Sequence, residues 1–196
     1  MITAIKFDCF GVLVGSGFAD VYQAAGGDPV KDAAFIDAML DKANAGQISS
    51  ADFNFIIADK LGLSVAAFRE IARQQEQVNR PLLDYIRTEL KPHYKLAIVS
   101  NANVGSLQRR LGAEQLAIFD AIIVSAEVGY IKPELEIFEL AARRLGDVPF
   151  AQAVFVDDSP LYVAAAAALG LHALRYTGLE TLKQALNQVT EAGNGA

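Results

Sequence analysis

Cysteine is almost missing from this chain. Cys9 is the only one, so there is no internal disulfide framework, and a reducing cytoplasm is the expected location. Basic residues are also in the minority. The 17 lysines and arginines face 23 aspartates and glutamates, and a net charge of −6 argues against nucleic acid or an anionic membrane surface as partner. Long apolar runs are lacking too. The longest, residues 163–174, contains His172 and falls short of the roughly 18 apolar residues that a membrane span needs. Residues 1–17 are apolar and end in small side chains, but Lys6 and Asp8 interrupt them and no basic segment precedes them, so they do not read as a signal peptide. The two histidines, His93 and His172, lie away from any stretch that carries chemistry. No internal repeat is present, and the alanine run 164–168 reads as a tightly packed helix.

What is present suits an ordinary globular chain. An apolar content of 53% over 196 residues is enough to build a sizeable core, as one domain or as a domain with a small insertion. Residues 5–13, Ile5 to Leu13 in the order IKFDCFGVL, read as a short apolar strand that breaks at Gly11 with a carboxylate, Asp8, at the break. Cys9 beside it reads as a small buried core residue. Four helices are then expected. Phe18, Val21, Tyr22 and Ala25 define the first at i, i+3, i+4, i+7 spacing. Asp28-Pro29 is an N-cap pair for the second, which ends near Gly46. Ser49 to Asp52 opens the third, and Ser64 caps a fourth over about 65–78, with Ala67, Phe68, Ile71 and Ala72 packed. No strand signal occurs between Val14 and Arg80. From Pro81 onward strands and helices alternate: helix 81–90, strand 95–99, helix 104–111 ending at Gly112, strand 121–124, helix 133–145, strand 153–156, a helix to Gly170, strand 172–176 and helix 179–190. Residues 191–196 read as a frayed tail. Near-continuous apolar strands separated by helices call for a doubly wound parallel α/β sheet. The expected division is a core of residues 1–14 plus 81–196 and a small helical cap of residues 15–80.

Four strand ends or nearby loops carry polar groups: Asp8, Ser100-Asn101, Lys132, and Asp157-Asp158. Each has a bland reading, as a turn aspartate, a cap residue, a solvated lysine, or acids favoured at a helix N-terminus. Together they would line one edge of the sheet, where ligands bind in such folds. Carboxylates converging from separate strands repel one another unless a hard cation lies among them, and Mg²⁺ takes oxygen ligands of this kind.

These stretches resemble the haloacid dehalogenase superfamily of aspartate-nucleophile hydrolases, in the branch with a helical cap after the first strand. Phe7 to Leu13 is similar to the first motif of that family and Val99-Ser100-Asn101 to the second. Gly129 to Pro133, followed by Ile137-Phe138, is similar to the third, and Phe155 to Ser159, with Ala167, Leu169 and Gly170 downstream, to the fourth. The resemblance implies that Asp8 attacks phosphorus to form an aspartyl-phosphate. It implies that Ser100 and the backbone around Asn101 hydrogen-bond the phosphoryl oxygens, and that Lys132 neutralises developing charge. It also implies that Mg²⁺ is held by Asp8, Asp158, Asp157 (directly or through water) and the backbone carbonyl of Phe10. The expected partner is a small phosphorylated metabolite, with the chain acting as a monomer or homodimer.

One departure stands out. Phosphatases of the family have a second aspartate two residues after the nucleophile, as general acid and base, and this chain has Phe10 there. Substrates with a good leaving group need that acid least. Two alternatives follow: an inert or weakly active protein with a binding role, and a 2-haloacid dehalogenase. Against dehalogenation stand the acidic pair Asp157-Asp158 and the absence of any arginine before Arg69. Tyr162, where many relatives have a polar residue such as Asn, is expected to act only locally. Arg109-Arg110 and Arg143-Arg144 read as solvated helix faces. Phe18, Tyr22, Phe35, Phe53 and Phe55 read mostly as core, with one or two facing the site. Residues 14–17 and the segment near Arg80-Pro81 are the expected hinges of cap closure.

Overall fold

The computed structural model describes residues 1–15, 17–75 and 77–192; Ser16 of the first expected hinge and the last four residues of the expected tail lie outside them. Five short apolar segments form strands: β1 (Ala4–Phe7), β2 (Lys95–Ser100), β3 (Ala121–Val124), β4 (Ala153–Asp157) and β5 (His172–Arg175). All pair in parallel, in the order β3-β2-β1-β4-β5. This is the doubly wound α/β sheet expected from the sequence. β1 is central, and the chain passes from β3 on one side of it to β4 on the other. The crevice beyond the carboxyl ends of β1 and β4 is therefore the switch point at which such sheets bind ligands.

Successive strand residues face opposite sides of the sheet. Ile5, Phe7, Leu96, Ile98, Val154 and Val156 build one apolar layer with α5 (Arg80–Tyr85), α6 (Ser106–Leu116) and α10 (Leu179–Ala192). A π-helical turn, Ile86–Leu90, extends α5. Ala4, Ala97, Val99, Ala153 and Phe155 build the other layer with α8 (Leu135–Arg144) and α9 (Pro160–Ala168). Between β1 and β2 lie α1 (Phe18–Ala24), α2 (Ala33–Asn44), α3 (Ser50–Lys60) and α4 (Val65–Gln75), whose inward residues, among them Tyr22, Ile57 and Phe68, form an apolar cluster of their own. Two crossing segments join this insertion to the sheet, and they pair with each other. Gly15 N donates to Gln77 O at 2.7 Å, Asn79 N donates to Leu13 O at 2.9 Å, and Val14 bridges Val78 in antiparallel fashion.

Several local expectations change. α4 ends at Gln75, short of residue 78, because Val78 is drawn into that bridge with Val14. Ala67 is exposed. Asp28 caps a turn, accepting from the N–H groups of Val30 and Lys31, and α2 begins only after Asp32, whose carboxylate is taken by the Tyr22 hydroxyl and by Lys60. Ser49 and Asp52 do form a reciprocal capping box at α3. The helical run does stop at Gly112, as expected: at φ 76° and ψ 169° that residue is non-helical, and a second helical stretch follows directly within α6, so that Leu111 and Leu116 both reach the apolar layer. A short helix, α7 (Ser125–Val128), follows β3 directly and was not foreseen.

Lys6 is the anomaly in the sheet. Its side chain is fully buried on the α8–α9 face, its Nζ has no hydrogen-bond partner among the described residues, and the amine sits 5.2 Å from the centre of the Phe150 ring. Burial lowers its pKa to about 8. A depressed lysine pKa penalises the folded state at low pH, because the unfolded chain carries the charge freely. Between about pH 8 and the unfolded value the unfolded chain binds the extra proton, so stability rises with pH across that window. Lys6→Met should therefore raise the unfolding free energy at pH 7 by about 2–4 kcal/mol, at about 1.36 kcal/mol per pKa unit. In urea titrations the difference between the two proteins should shrink as pH climbs from about 8 to 10.5. A difference that is constant with pH would place the cost elsewhere.

Candidate active site

Asp8 follows the last residue of β1, and its N–H donates to Val156 O of β4 at 2.8 Å, which locks the two strand ends together. Asp157 ends β4 and Asp158 comes next. Carboxylate oxygens of Asp8, Asp157 and Asp158 all lie within 4.8 Å of one another. Lys132, 2% exposed, reaches into this group from the loop before α8, with Nζ 2.9 Å from Asp8 Oδ1 and 2.6 Å from Asp157 Oδ2. The other Asp157 oxygen accepts from the Ser159 N–H at 2.9 Å. The ammonium also lies 4.9 Å from the centre of the Tyr162 ring and 5.5 Å from that of Phe155.

The charges do not balance. Three carboxylates and one ammonium leave a net −2 in a largely buried setting. Burial, and next the charge of Asp8, push the Asp157 carboxyl up to about 7 against the pull of Lys132. The same two causes raise Asp158. Burial works against the charge of Lys132, yet Asp8 and Asp157 hold its pKa above the usual lysine range. A hard divalent cation would relieve this crowding, and an all-oxygen donor set fits Mg²⁺. The backbone is shaped to suit: Gly11, at φ 85°, lies so close under the Asp158 carboxylate that a Cβ there would collide with it.

Ser100 ends β2 beside this group. Its Oγ is fully buried with no partner among the described residues, a costly state that a ligand oxygen would relieve. Asn101 is committed differently. Its side chain clamps the backbone of Lys132, accepting from Lys132 N at 2.7 Å and donating to Lys132 O at 2.9 Å, and it reaches the Tyr162 hydroxyl at 3.2 Å. Asn101 and Tyr162 therefore hold the ammonium in position, so the influence of Tyr162 is more than local. Ser125, at the end of β3, was not singled out in the sequence. It accepts from Ala102 N at 2.9 Å and donates to Asn44 O at 2.7 Å, tying the strand ends to α2. It follows an apolar tetrad directly, as Ser100 does, and that was the available signal.

A cavity of about 750 Å³ opens from this edge toward the inserted helices, reaching the acidic group at Asp158 and Phe10. Phe18 and Phe53 line it, whereas Phe55 is exposed. So do Arg69, Arg73, Arg109 and Arg110; Arg109 is exposed, as a solvated helix face would be, but the face it borders is the cavity. The absence of an arginine before Arg69 thus carries no weight against anion binding from the insertion. His172 lies 3.1 Å from the Ala151 carbonyl oxygen, away from this group.

A central parallel strand leading into an acid, faced by a second acidic strand end and a buried lysine, puts a candidate nucleophile and a cation-binding carboxylate group at one edge of an α/β sheet. The sequence profile of the haloacid dehalogenase-like hydrolases matches residues 2–170. The chain belongs to that family. In fold it is similar to a predicted HAD-like family hydrolase from Porphyromonas gingivalis, at 26% identity and a TM-score of 0.72 over 95% of this chain and 98% of that one. It is likewise similar to a HAD family enzyme from Bacteroides thetaiotaomicron in complex with magnesium and inorganic phosphate, at 19% identity and 0.68 over 89% and 94%. The L-2-haloacid dehalogenase of Xanthobacter autotrophicus matches at 23% identity and 0.65 over 100% and 84%. Among the described residues no helix is long and apolar enough to cross a membrane.

Proposed function

We propose that this hydrolase is a Mg²⁺-dependent phosphomonoesterase that acts through a phosphorylated Asp8. The observation that carries the proposal is the convergence of the Asp8, Asp157 and Asp158 carboxylates within 4.8 Å around the Lys132 ammonium. An oxygen of Asp8 attacks phosphorus, the phosphorus–oxygen ester bond breaks, and its electron pair leaves on the alcohol oxygen. Ser100 donates to a phosphoryl oxygen together with the backbone N–H at Asn101. Lys132, oriented by Asp157 and Asn101, opposes the charge building on Asp8 and the phosphoryl group. Water then attacks that phosphorus, the bond from phosphorus to the Asp8 oxygen breaks, and inorganic phosphate leaves, the proton of the water passing to solvent. A Mg²⁺ ion held by Asp8, Asp158, Asp157 and the Phe10 carbonyl would supply charge neutralisation. Phe10 offers no proton, so the preferred ester has a good leaving group. Residues 15–80 serve as a cap over the cavity, and the paired segments around Gly15 and Gln77 suit a hinge.

Dehalogenation of a 2-haloacid is the second reading. It is favoured by Phe10 and by the arginines facing the cavity, and opposed by the Asp157-Asp158 pair, which a metal-free reaction leaves unexplained. The two readings part in one assay. The phosphatase reading expects release of nitrophenolate from p-nitrophenyl phosphate that disappears with EDTA and returns with excess Mg²⁺. Chloride release from 2-chloropropionate in EDTA would favour the dehalogenase. Turnover of neither, across a panel of phosphate esters, would leave a binding role.

A further inference from the structure

The cavity carries charge that the acidic end has no use for. With a divalent cation bound, the net −2 of Asp8, Asp157, Asp158 and Lys132 is cancelled, and that end deals with one phosphate. Yet Arg69, Arg73 and Arg109 line the remainder of the cavity, and among its described lining residues Asp158 is the sole carboxylate. Arg73 is accounted for: Glu70 takes it in a two-pronged pair at 2.9 and 2.6 Å. Arg69, on α4, has no hydrogen bond or ion pair among the described residues. Arg109, on α6, gives one N–H to Val104 O at 3.3 Å and lies 3.5 Å from Ser50 Oγ, contacts that leave its charge unopposed. Guanidinium groups bind phosphate and carboxylate through paired hydrogen bonds, which a lysine does not reproduce. The volume, about 750 Å³, far exceeds what one phosphate fills.

We infer that the substrate carries a second anionic group, a phosphate or a carboxylate, bound by Arg69 and Arg109 away from the phosphorus that Asp8 attacks. The inference rests on the phosphatase reading and names the substrate class of the same site. Since Arg69 comes from the inserted helices and Arg109 from the sheet layer, the second anion also ties the two together when the substrate binds.

Three hydrolysis-proof ligands on a four-carbon chain test this by calorimetric titration in Mg²⁺: butylphosphonate, butane-1,4-diylbisphosphonate and 4-phosphonobutanoate. The bisphosphonate, the carboxylate, or both should bind about tenfold or more tightly than butylphosphonate, and the ranking of the two says which anion is preferred. In the Arg69→Ala/Arg109→Ala protein that advantage should fall below about twofold, while butylphosphonate affinity moves by less than about twofold. Both arginines are exposed, so folding should be unaffected, and Arg69→Ala alone should lose part of the advantage. Equal affinity for all three ligands in the native protein, or an advantage that survives the double substitution, overturns the inference. Hydrolysis of simple esters without that advantage would leave the phosphatase reading standing and sink this one. The advantage without hydrolysis of any ester would sink the phosphatase reading and, with it, the assignment of the two-anion ligand as a substrate, leaving only the anion subsite at Arg69 and Arg109.

Discussion

Under the phosphatase proposal, Asp8→Asn should lower Mg²⁺-dependent hydrolysis of p-nitrophenyl phosphate by at least about 10³-fold, on the scale at which losing an active-site nucleophile acts. The amide fills the same space but cannot form an acyl-phosphate bond. Stability should not fall, and the reason lies in the charges. Asp8 is one of three crowded carboxylates, and its charge is among the causes that raise Asp157 and Asp158. Removing it eases that repulsion, while Lys132 keeps its 2.6 Å contact with Asp157. Steady-state kinetics and a thermal melt on the same preparation check both halves. A rate within tenfold of the native one would mean that water, not Asp8, attacks phosphorus.

Phe10→Asp should raise turnover of an alkyl phosphate by about 10²–10⁴-fold, the usual worth of a positioned general acid, and change turnover of p-nitrophenyl phosphate far less. Nitrophenolate leaves without a proton, whereas an alkoxide does not. Position 10 is well placed for this, since Phe10 lines the cavity beside Asp158 and is only partly buried. Phe10→Asn is the control, matching the shape without the acid. Equal gains on both substrates, or equal gains from Asp and Asn, would mean that removing the ring merely widened the entrance.

The two predictions draw on residues that were visible in different degrees. Asp8, Ser100, Asp157 and Asp158 could be picked out because each lies in or next to a short apolar strand, and strand ends in a parallel sheet share an edge; Lys132, in the loop before α8, stood out only through the family resemblance. The clamp by Asn101 could not, because its partners Lys132 and Tyr162 lie 31 and 61 residues away. Arg109 looked like any exposed helix residue until the inserted helices were seen to close one side of the space in front of it. Gly112 shows the same limit on a smaller scale. The glycine signalled the break, which is there, but not that helix resumes at once beyond it with Leu116 buried.

Short, near-continuous apolar runs alternating with helices determine, from the sequence alone, that this is a parallel α/β sheet, with an acid placed at the end of β1. That information is local, written within five or six residues of each position. Tertiary structure alone decided which oxygens share the Lys132 ammonium, that Tyr162 stacks beneath it, and that arginines from α4 and α6 face one cavity. Those facts depend on how distant elements pack, and side-chain direction across a gap leaves no periodic trace in the chain.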